Sequence, residues 1–533
     1  MKMVKSLLLV SAAGLVAVSG AQAADLPVKA KPVEYVKVCS LYGAGFYYIP
    51  GTDICLKIGA YFRAEYAVGN MAGSLTNLDA VGADGQRTRL TGPDYQQRAR
   101  AFVFLDSRQQ TAYGTLRAYM NVGWTNDFPG SVGTSAAAIY ANRAFIQLAG
   151  FTWGVATSYY DFFSSPATSY TVPWSSDSGD GGWKVAAYTA QLGNGLSATL
   201  SLEEPRSQVV TNNSFLDTAT VAAYPVGALP GNDFGKVQWP DIVANLRVDQ
   251  AWGAAQIMGA VHQVNAGYFG GTIGGGTCAA GLAGTAGNVC SGHPDDEIGF
   301  AVGAGIKINF PMIGPGDYLQ AQVNYTEGAV RYAALTPSSA GSPGIFGSGG
   351  LAGIGGTLGM GLWNDGSYCG QGPVNVTGVC PLGGSGINLT TAWSAQAAYE
   401  HYWTPSLRTS LVGAYTDISY NATASNQMCT QINTLGVVAA NSITALAGPG
   451  GTPCGAGTFD WSYWSVSSRT QWNITKDFYV GLEGFYGHLN TMNKGGTALY
   501  TAAAAGAQPT AVRTFDDQEV FVYRMRVHRD LVP

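Results

Sequence analysis

Apolar and polar side chains alternate along much of the chain. Between Thr111 and Val122, Leu116, Ala118, Met120 and Val122 share one parity, and Thr115, Arg117, Tyr119 and Asn121 the other. Successive side chains of a β-strand point to opposite faces, so this segment predicts a strand with one greasy and one hydrated face. The same period sets Leu56, Ile58, Ala60, Phe62 and Ala64 against Lys57, Gly59, Tyr61, Arg63 and Glu65. It returns where Phe521, Tyr523, Met525 and Val527 alternate with Arg524, Arg526 and His528. Over the whole chain the pattern predicts strands near 54–68, 95–106, 111–123, 140–149, 151–157, 183–192, 195–204, 241–249, 251–263, 297–309, 317–326, 391–402, 406–418, 460–474, 476–488 and 518–529. These are about sixteen strands, each near the roughly ten residues that a tilted strand needs to cross a bilayer. A soluble β-sandwich would alternate in the same way, so alternation alone does not choose between them.

The connections discriminate better. Very short links are predicted at Ser107-Arg108-Gln109-Gln110, Gly150-Phe151, Gly193-Asn194-Gly195, Gln250-Ala251, Thr404-Pro405 and Thr475-Lys476. Between them lie long stretches rich in Gly, Ser and Ala, such as Gly328 to Leu389 and Asn421 to Thr458. Short and long links alternate, as in an antiparallel up-and-down barrel with turns on one rim and loops on the other. Trp124, Phe151, Trp153, Trp239, Trp252, Tyr402, Trp403, Trp461, Trp464, Trp472 and Phe478 fall near strand ends, where aromatic girdles would sit between lipid and water.

Composition agrees with a membrane barrel. Only 11% of residues are charged, with 73 Gly, 29 Tyr and 12 Trp; ordinary globular domains carry roughly 25% charged residues. Lys2 and Lys5, the apolar run from Leu7 to about Val18 and Ala21-Gln22-Ala23 read as a signal peptide over 1–23. Residues 24–53 would then form a periplasmic N-terminal segment, and 54–533 the barrel. A net charge of −5 implies no nucleic-acid partner.

Eight cysteines in an exported chain suggest disulfides. Local couples Cys39/Cys55, Cys278/Cys290, Cys369/Cys380 and Cys429/Cys454 are the simplest pairing, although eight cysteines allow on the order of a hundred connectivities. The last three couples fall inside predicted long loops. No C-x-x-C occurs and only five His are scattered through the chain, which argues against a metal. Neither G-x-S-x-G nor H-E-x-x-H is present, and the glycine runs near Gly270–Gly276 and Gly347–Gly361 lack a strand–turn–helix context. Neither an enzyme nor a cofactor is expected.

The segment Tyr35-Val36-Lys37-Val38-Cys39, followed by Tyr42-Gly43-Ala44-Gly45-Phe46-Tyr47-Tyr48-Ile49-Pro50-Gly51-Thr52-Asp53-Ile54-Cys55-Leu56-Lys57-Ile58-Gly59, resembles the start of the alphaproteobacterial general porins of the rhizobial and brucella type. Ala24-Asp25-Leu26-Pro27 is similar to their mature N-terminus, and the likeness continues through Arg100-Ala101 and Asn142-Arg143-Ala144-Phe145-Ile146. The resemblance implies a sixteen-stranded outer-membrane barrel, a homotrimer set among lipid and lipopolysaccharide, and a passive channel for ions and small hydrophilic solutes. It implies a third long loop folded into the lumen and a Cys39–Cys55 bridge. Such barrels usually end on an aromatic residue; here Asp530-Leu531-Val532-Pro533 stands instead, so either the family tolerates this ending or recognition falls on Phe521 and Tyr523.

The resemblance points to Ser158–Gly182 as the constriction loop, carrying Asp161, Asp177 and Asp180 with Tyr159, Tyr160, Phe162, Phe163 and Trp174. Opposite it, strand parity places Arg63, Arg98, Arg100, Arg117 and Arg143 on the hydrated face, where facing positive and negative walls would orient a passing solute. Arg247, Arg408, Arg469, Arg524 and Arg526 share that face, and some would anchor the loop by salt bridges. The competing expectation is a closed barrel whose long loops bind partners.

Overall fold

The computed structural model describes residues 37–69, 95–128, 136–173, 175, 182–206, 209–213, 233–267, 269–270, 272–273, 276–277, 291–334, 344–346, 357–370, 384–434, 443–447, 458–500 and 511–531. The expected signal peptide lies outside them, as do Trp174, Asp177 and Asp180. The chain divides into one unit ending at Leu56 and a second from Lys57 onward. In the first, a 3-10 turn at Ser40–Tyr42 leads to a short strand, Tyr47–Tyr48, paired with Leu56 and Cys55. A Cys39–Cys55 disulfide closes it around buried Phe46.

The second unit is a closed antiparallel barrel of sixteen strands, numbered here in chain order. They are β1 (Cys55–Val68), β2 (Tyr95–Thr111), β3 (Gly114–Phe128), β4 (Ala136–Leu148), β5 (Phe151–Ala156), β6 (Trp183–Gly193), β7 (Leu196–Glu203), β8 (Asp241–Gln250), β9 (Gly253–Val264), β10 (Glu297–Asn309), β11 (Tyr318–Glu327), β12 (Thr391–Thr404), β13 (Leu407–Ser419), β14 (Trp461–Thr475), β15 (Phe478–Asn490) and β16 (Gln518–Asp530). Each strand pairs with the next, and β16 returns to β1 with Tyr61 opposite Asp530 and Val68 opposite Tyr523. Closure leaves no barrel strand with an unpaired edge in the bilayer. Among the described residues no helix is long and apolar enough to cross a membrane.

The alternation becomes two surfaces. Met120, Trp124, Ile146, Leu200, Leu246, Ile257, Leu411 and Leu482 point outward and are exposed, whereas the opposite parity carries Arg, Gln, Ser and Thr inward. Links of two residues at 112–113, 149–150, 194–195, 251–252, 405–406 and 476–477, with a longer one at 310–317, lie on one rim, and all the long loops leave the other.

Two expectations need correction. Ser107–Gln110 is strand, not turn: β2 runs on to Thr111 and the chain reverses at Ala112-Tyr113. The polar run misled because Arg108 faces inward beside Asp106 and pairs with it at 2.8 Å, a hydrated wall rather than a loop. Trp461 is no girdle residue; it is buried edge-on against Trp363. Phe151, Trp153, Trp252, Trp403 and Trp472 are exposed at strand ends. Of the other cysteine couples, Cys369 is disulfide-bonded and Cys429 lies in a helix, Ala422–Thr434. Cys278, Cys290, Cys380 and Cys454 lie outside the described residues.

Above the loop rim the long loops build on one another. Segments Gly344–Phe346, Thr357–Gly361, Ile443–Ala447, Thr497–Tyr500 and Ala511–Phe515, from three loops, form a five-stranded sheet. Val210–Asn212, Gly366–Tyr368 and Asn388–Leu389 form another of three strands. The largest apolar core joins Leu362, Trp363, Met428, Phe459, Met492 and Phe515 of these loops to inward residues of β1 and β12–β16, including Ala67, Ile418, Phe485 and Val522. Smaller cores use β8, β9 and β10. Among the described residues none of these cores takes a member from β2–β7.

Candidate functional site

The loop after β5 turns inward and runs along the barrel wall, meeting inward side chains of successive strands. At its start Tyr159 N–H donates to Glu203 of β7 at 2.9 Å, and its carbonyl accepts from Asn245 of β8 at 2.6 Å. Gln322 of β11 accepts both the Phe162 and Phe163 N–H, at 2.9 and 2.8 Å. The one-turn helix Ser165–Thr168 then crosses β12 and β13, where Ser410 donates to the Thr168 carbonyl. Glu483 of β15 accepts Tyr170 N–H, Thr171 N–H and the Thr171 hydroxyl, each at 2.7 Å. Backbone groups released from regular structure thus find partners supplied by strand parity.

Two glycines make room for the loop. A Cβ on Gly305 of β10 would lie 2.4 Å from the Phe162 ring, and one on Gly481 of β15 would lie 1.8 Å from the Tyr170 hydroxyl. The barrel wall is hollow where those rings rest.

Asp161 differs from its expected place. Its Oδ1 accepts from Arg206 at 2.9 Å, and both side chains are about 1% exposed, so the charge is neutralised within the protein rather than offered to the lumen. Arg206 follows β7 in a loop without strand parity, which is why alternation does not reveal it. Its guanidinium lies 4.1 Å from the Tyr332 ring centre and also donates to Ser158. The Tyr332 hydroxyl donates to Asp241 Oδ2 at 2.7 Å, and His262 Nδ1 lies 2.8 Å from Asp241 Oδ1. Asp365 completes the knot by accepting Val209 and Val330 N–H, each at 2.8 Å. Burial pushes the Asp365 carboxyl up to about 6 and holds the Tyr332 phenol well above its ordinary range.

The expected anchoring arginines act mainly on carbonyls. Arg469 donates to Ala167 O at 3.0 Å while paired with Glu400, and Arg524 donates to Tyr170 O at 2.9 Å. Arg526 lies over the Tyr170 ring and pairs with Glu65. Arg408 pairs with Glu400 and Arg247 with Asp249.

The wall of β1–β4 carries the five arginines of the opposing set. Arg98 is bidentate to Asp127 at 2.6 and 2.7 Å. Arg117 holds Asp106 with two bonds of 3.0 Å, and Arg108 shares that carboxylate. Arg63 donates to His528, Arg100 to Thr125 and Arg143 to Thr157. These inward side chains of β1–β3 hydrogen-bond to one another and to neighbouring strands rather than to the loop. Beside the start of the loop opens a cavity of about 330 Å³, lined by Arg143 of β4, Tyr159 and Asp161 of the loop, Thr199 of β7, Asn245 of β8 and Gln256 of β9. The inserted loop is thus fixed to one side of the barrel, and the arginine-rich wall of β1–β4 lies on the other. Among the described residues no group of His, Cys, Asp and Glu is arranged to hold a metal.

Comparison with known proteins follows the same line. The model of the porin subfamily matches residues 25–522. Porin Omp2a of Brucella ovis is 35% identical over 226 residues, covering 38% of this chain and 59% of the relative. Porin Omp2b of Brucella suis is 33% identical over 208 residues, covering 38% of this chain and 52% of the relative. The matched stretch is therefore a little over half the length of these curated relatives. In fold, the chain is similar to the outer membrane channel DcaP of Acinetobacter baumannii, with a TM-score of 0.50, 11% identity, and coverage of 91% of this chain and 99% of that one.

Proposed function

This chain belongs to the porin subfamily of outer-membrane β-barrels, and on that premise we propose that it is a passive, water-filled channel for ions and small hydrophilic solutes. The supporting observation is the one-sided docking of the inserted loop. Its backbone is held from Tyr159 to Thr171 by β7–β16, while Arg63, Arg98, Arg100, Arg117 and Arg143 line the wall it leaves uncovered. Water and ions follow that wall, and its charge tunes which ions pass. The constriction is set by these arginines on one side and by the loop on the other. Asp177 and Asp180 belong to the loop as its acidic positions, whereas Asp161 serves its attachment through Arg206.

In this reading the channel works as a homotrimer among outer-membrane lipid and lipopolysaccharide, as the resemblance to general porins implies, and it performs no catalysis. A second reading, a largely closed barrel displaying binding loops, draws on the five-stranded loop sheet and the apolar core over β12–β1.

Liposome swelling separates the two readings. Proteoliposomes of the full barrel should swell in uncharged sugars at rates that fall steeply from mono- to trisaccharide. A folded barrel admitting none of them would support the closed reading instead.

A further inference from the structure

We infer that the open wall of β1–β4, with its neighbour β16, favours planar aromatic carboxylates among small solutes; this rests on the pore reading above. The wall is aromatic as well as basic. Tyr61 stacks on Phe102 with centres 5.2 Å apart and planes 9° apart, and Phe102 meets Tyr140 edge-on at 5.6 Å. These rings come from the inward faces of β1, β2 and β4, with the small Gly123 of the intervening β3 opposite Phe102. They form one strip at the height where the arginines concentrate.

Two of those arginines lie over the strip, Arg63 at 4.9 Å from the Tyr61 centre and Arg100 at 5.6 Å from that of Tyr140. Among the described residues neither is paired with a carboxylate: Arg63 donates to His528 and Arg100 to Thr125. Their neighbours differ. Arg98 and Arg526 are paired with Asp127 and Glu65, and Arg117 shares Asp106 with Arg108. Further along β16, towards the loop rim, Arg524 is 2% exposed; its Nη1 donates to the loop, while Nε and Nη2 have no hydrogen-bond partner. Positive charge thus exceeds negative beside the ring strip, where Arg63, Arg524 and Arg526 share Glu65 and Arg524 also faces Glu483.

The two features suit one solute class. A guanidinium lying on a ring uses its face for that contact and keeps its in-plane N–H fork for a carboxylate. In an aromatic carboxylate the anionic group is coplanar with the ring; Tyr61 is already packed by Phe102 and His528 and completes the strip, so a solute stacks on Tyr140, which brings its carboxylate to the Arg100 edge. A saturated ring carboxylate of similar size keeps the charge and loses the flat π face. An uncharged aromatic keeps the face and loses the fork contact.

The test is a bi-ionic reversal potential in planar bilayers with the full barrel, comparing sodium benzoate with sodium cyclohexanecarboxylate after a KCl control. Aromatic stacking should favour benzoate roughly two- to tenfold. Tyr61→Leu with Tyr140→Leu should bring that ratio close to one, and Arg100→Ala should lower the permeability of both carboxylates relative to potassium. Ordinary KCl conductance with no benzoate advantage would overturn this inference and leave the pore reading standing. An advantage that survives the double ring substitution would overturn the assignment to the strip. Absence of any KCl conductance would overturn both readings.

Discussion

A single carboxylate, Glu483, shows how the inward parity of a strand becomes function. It accepts three hydrogen bonds from Tyr170 and Thr171 and sits opposite Arg524 in the strand register. Bonds to a charged acceptor contribute about 1.5–3 kcal/mol each, so Glu483→Ala should free this end of the loop while leaving the barrel strands paired. The expected outcome is a larger single-channel conductance with noisier open levels. Glu483→Gln, which keeps an acceptor oxygen, should fall between the two, and a conductance unchanged in both variants would contradict the anchoring role. The sequence places Arg524 and Arg526 on the hydrated face by alternation alone but does not single out the acid opposite Arg524. It does not reveal that the acid serves the loop, because the partners are backbone N–H groups, which any sequence possesses. Asp161 shows the converse: its residue type suits a charged lumen wall, but Arg206, 45 positions away, takes up the charge.

At the scale of elements, the loops are tied by local polar contacts as well as by their apolar core. Asp365 joins three of their segments, and burial raises its carboxyl from an ordinary 3.8 to about 6, with His262 and Asp241 close enough to act on it. A carboxyl that binds its proton more tightly when folded contributes stability that is fully present below the ordinary carboxylate value. That stability is lost as the pH rises through about 6. The shift corresponds to roughly 3 kcal/mol. Amide exchange at Val209–Asn213, corrected for its intrinsic pH dependence, should therefore show greater protection at pH 4.5 than at pH 7.5. Asp365→Asn should flatten the difference, and protection that increases with pH would contradict the assignment. Elements were unevenly legible in the sequence. Strands were readable because the bilayer imposes one greasy face on each, and turns such as Asn194-Gly195 because the dipeptide itself favours them. The loop sheets were not, since their strands are two to five residues long and several pair across large sequence separations.

At the scale of the whole molecule, alternation, rim asymmetry and low charge predicted a sixteen-stranded barrel, and each of those strands is present. What alternation does not encode is which side of the lumen the loops occupy. That depends on contacts such as Gln322 with Phe162 and on the hollow at Gly305, where the absence of a side chain matters more than its presence. The resulting asymmetry, with loops packed over β8–β1 and an arginine-lined wall at β1–β4, underlies the proposed passage. It also makes a net preference for anions the expected behaviour.

The most direct test is single-channel recording of the detergent-purified, unreduced protein in a planar bilayer under a KCl gradient. Large ohmic steps, arriving in threes for a trimer, with a reversal potential on the anion side, are the predicted result. Silence from a barrel shown to be folded would contradict the account.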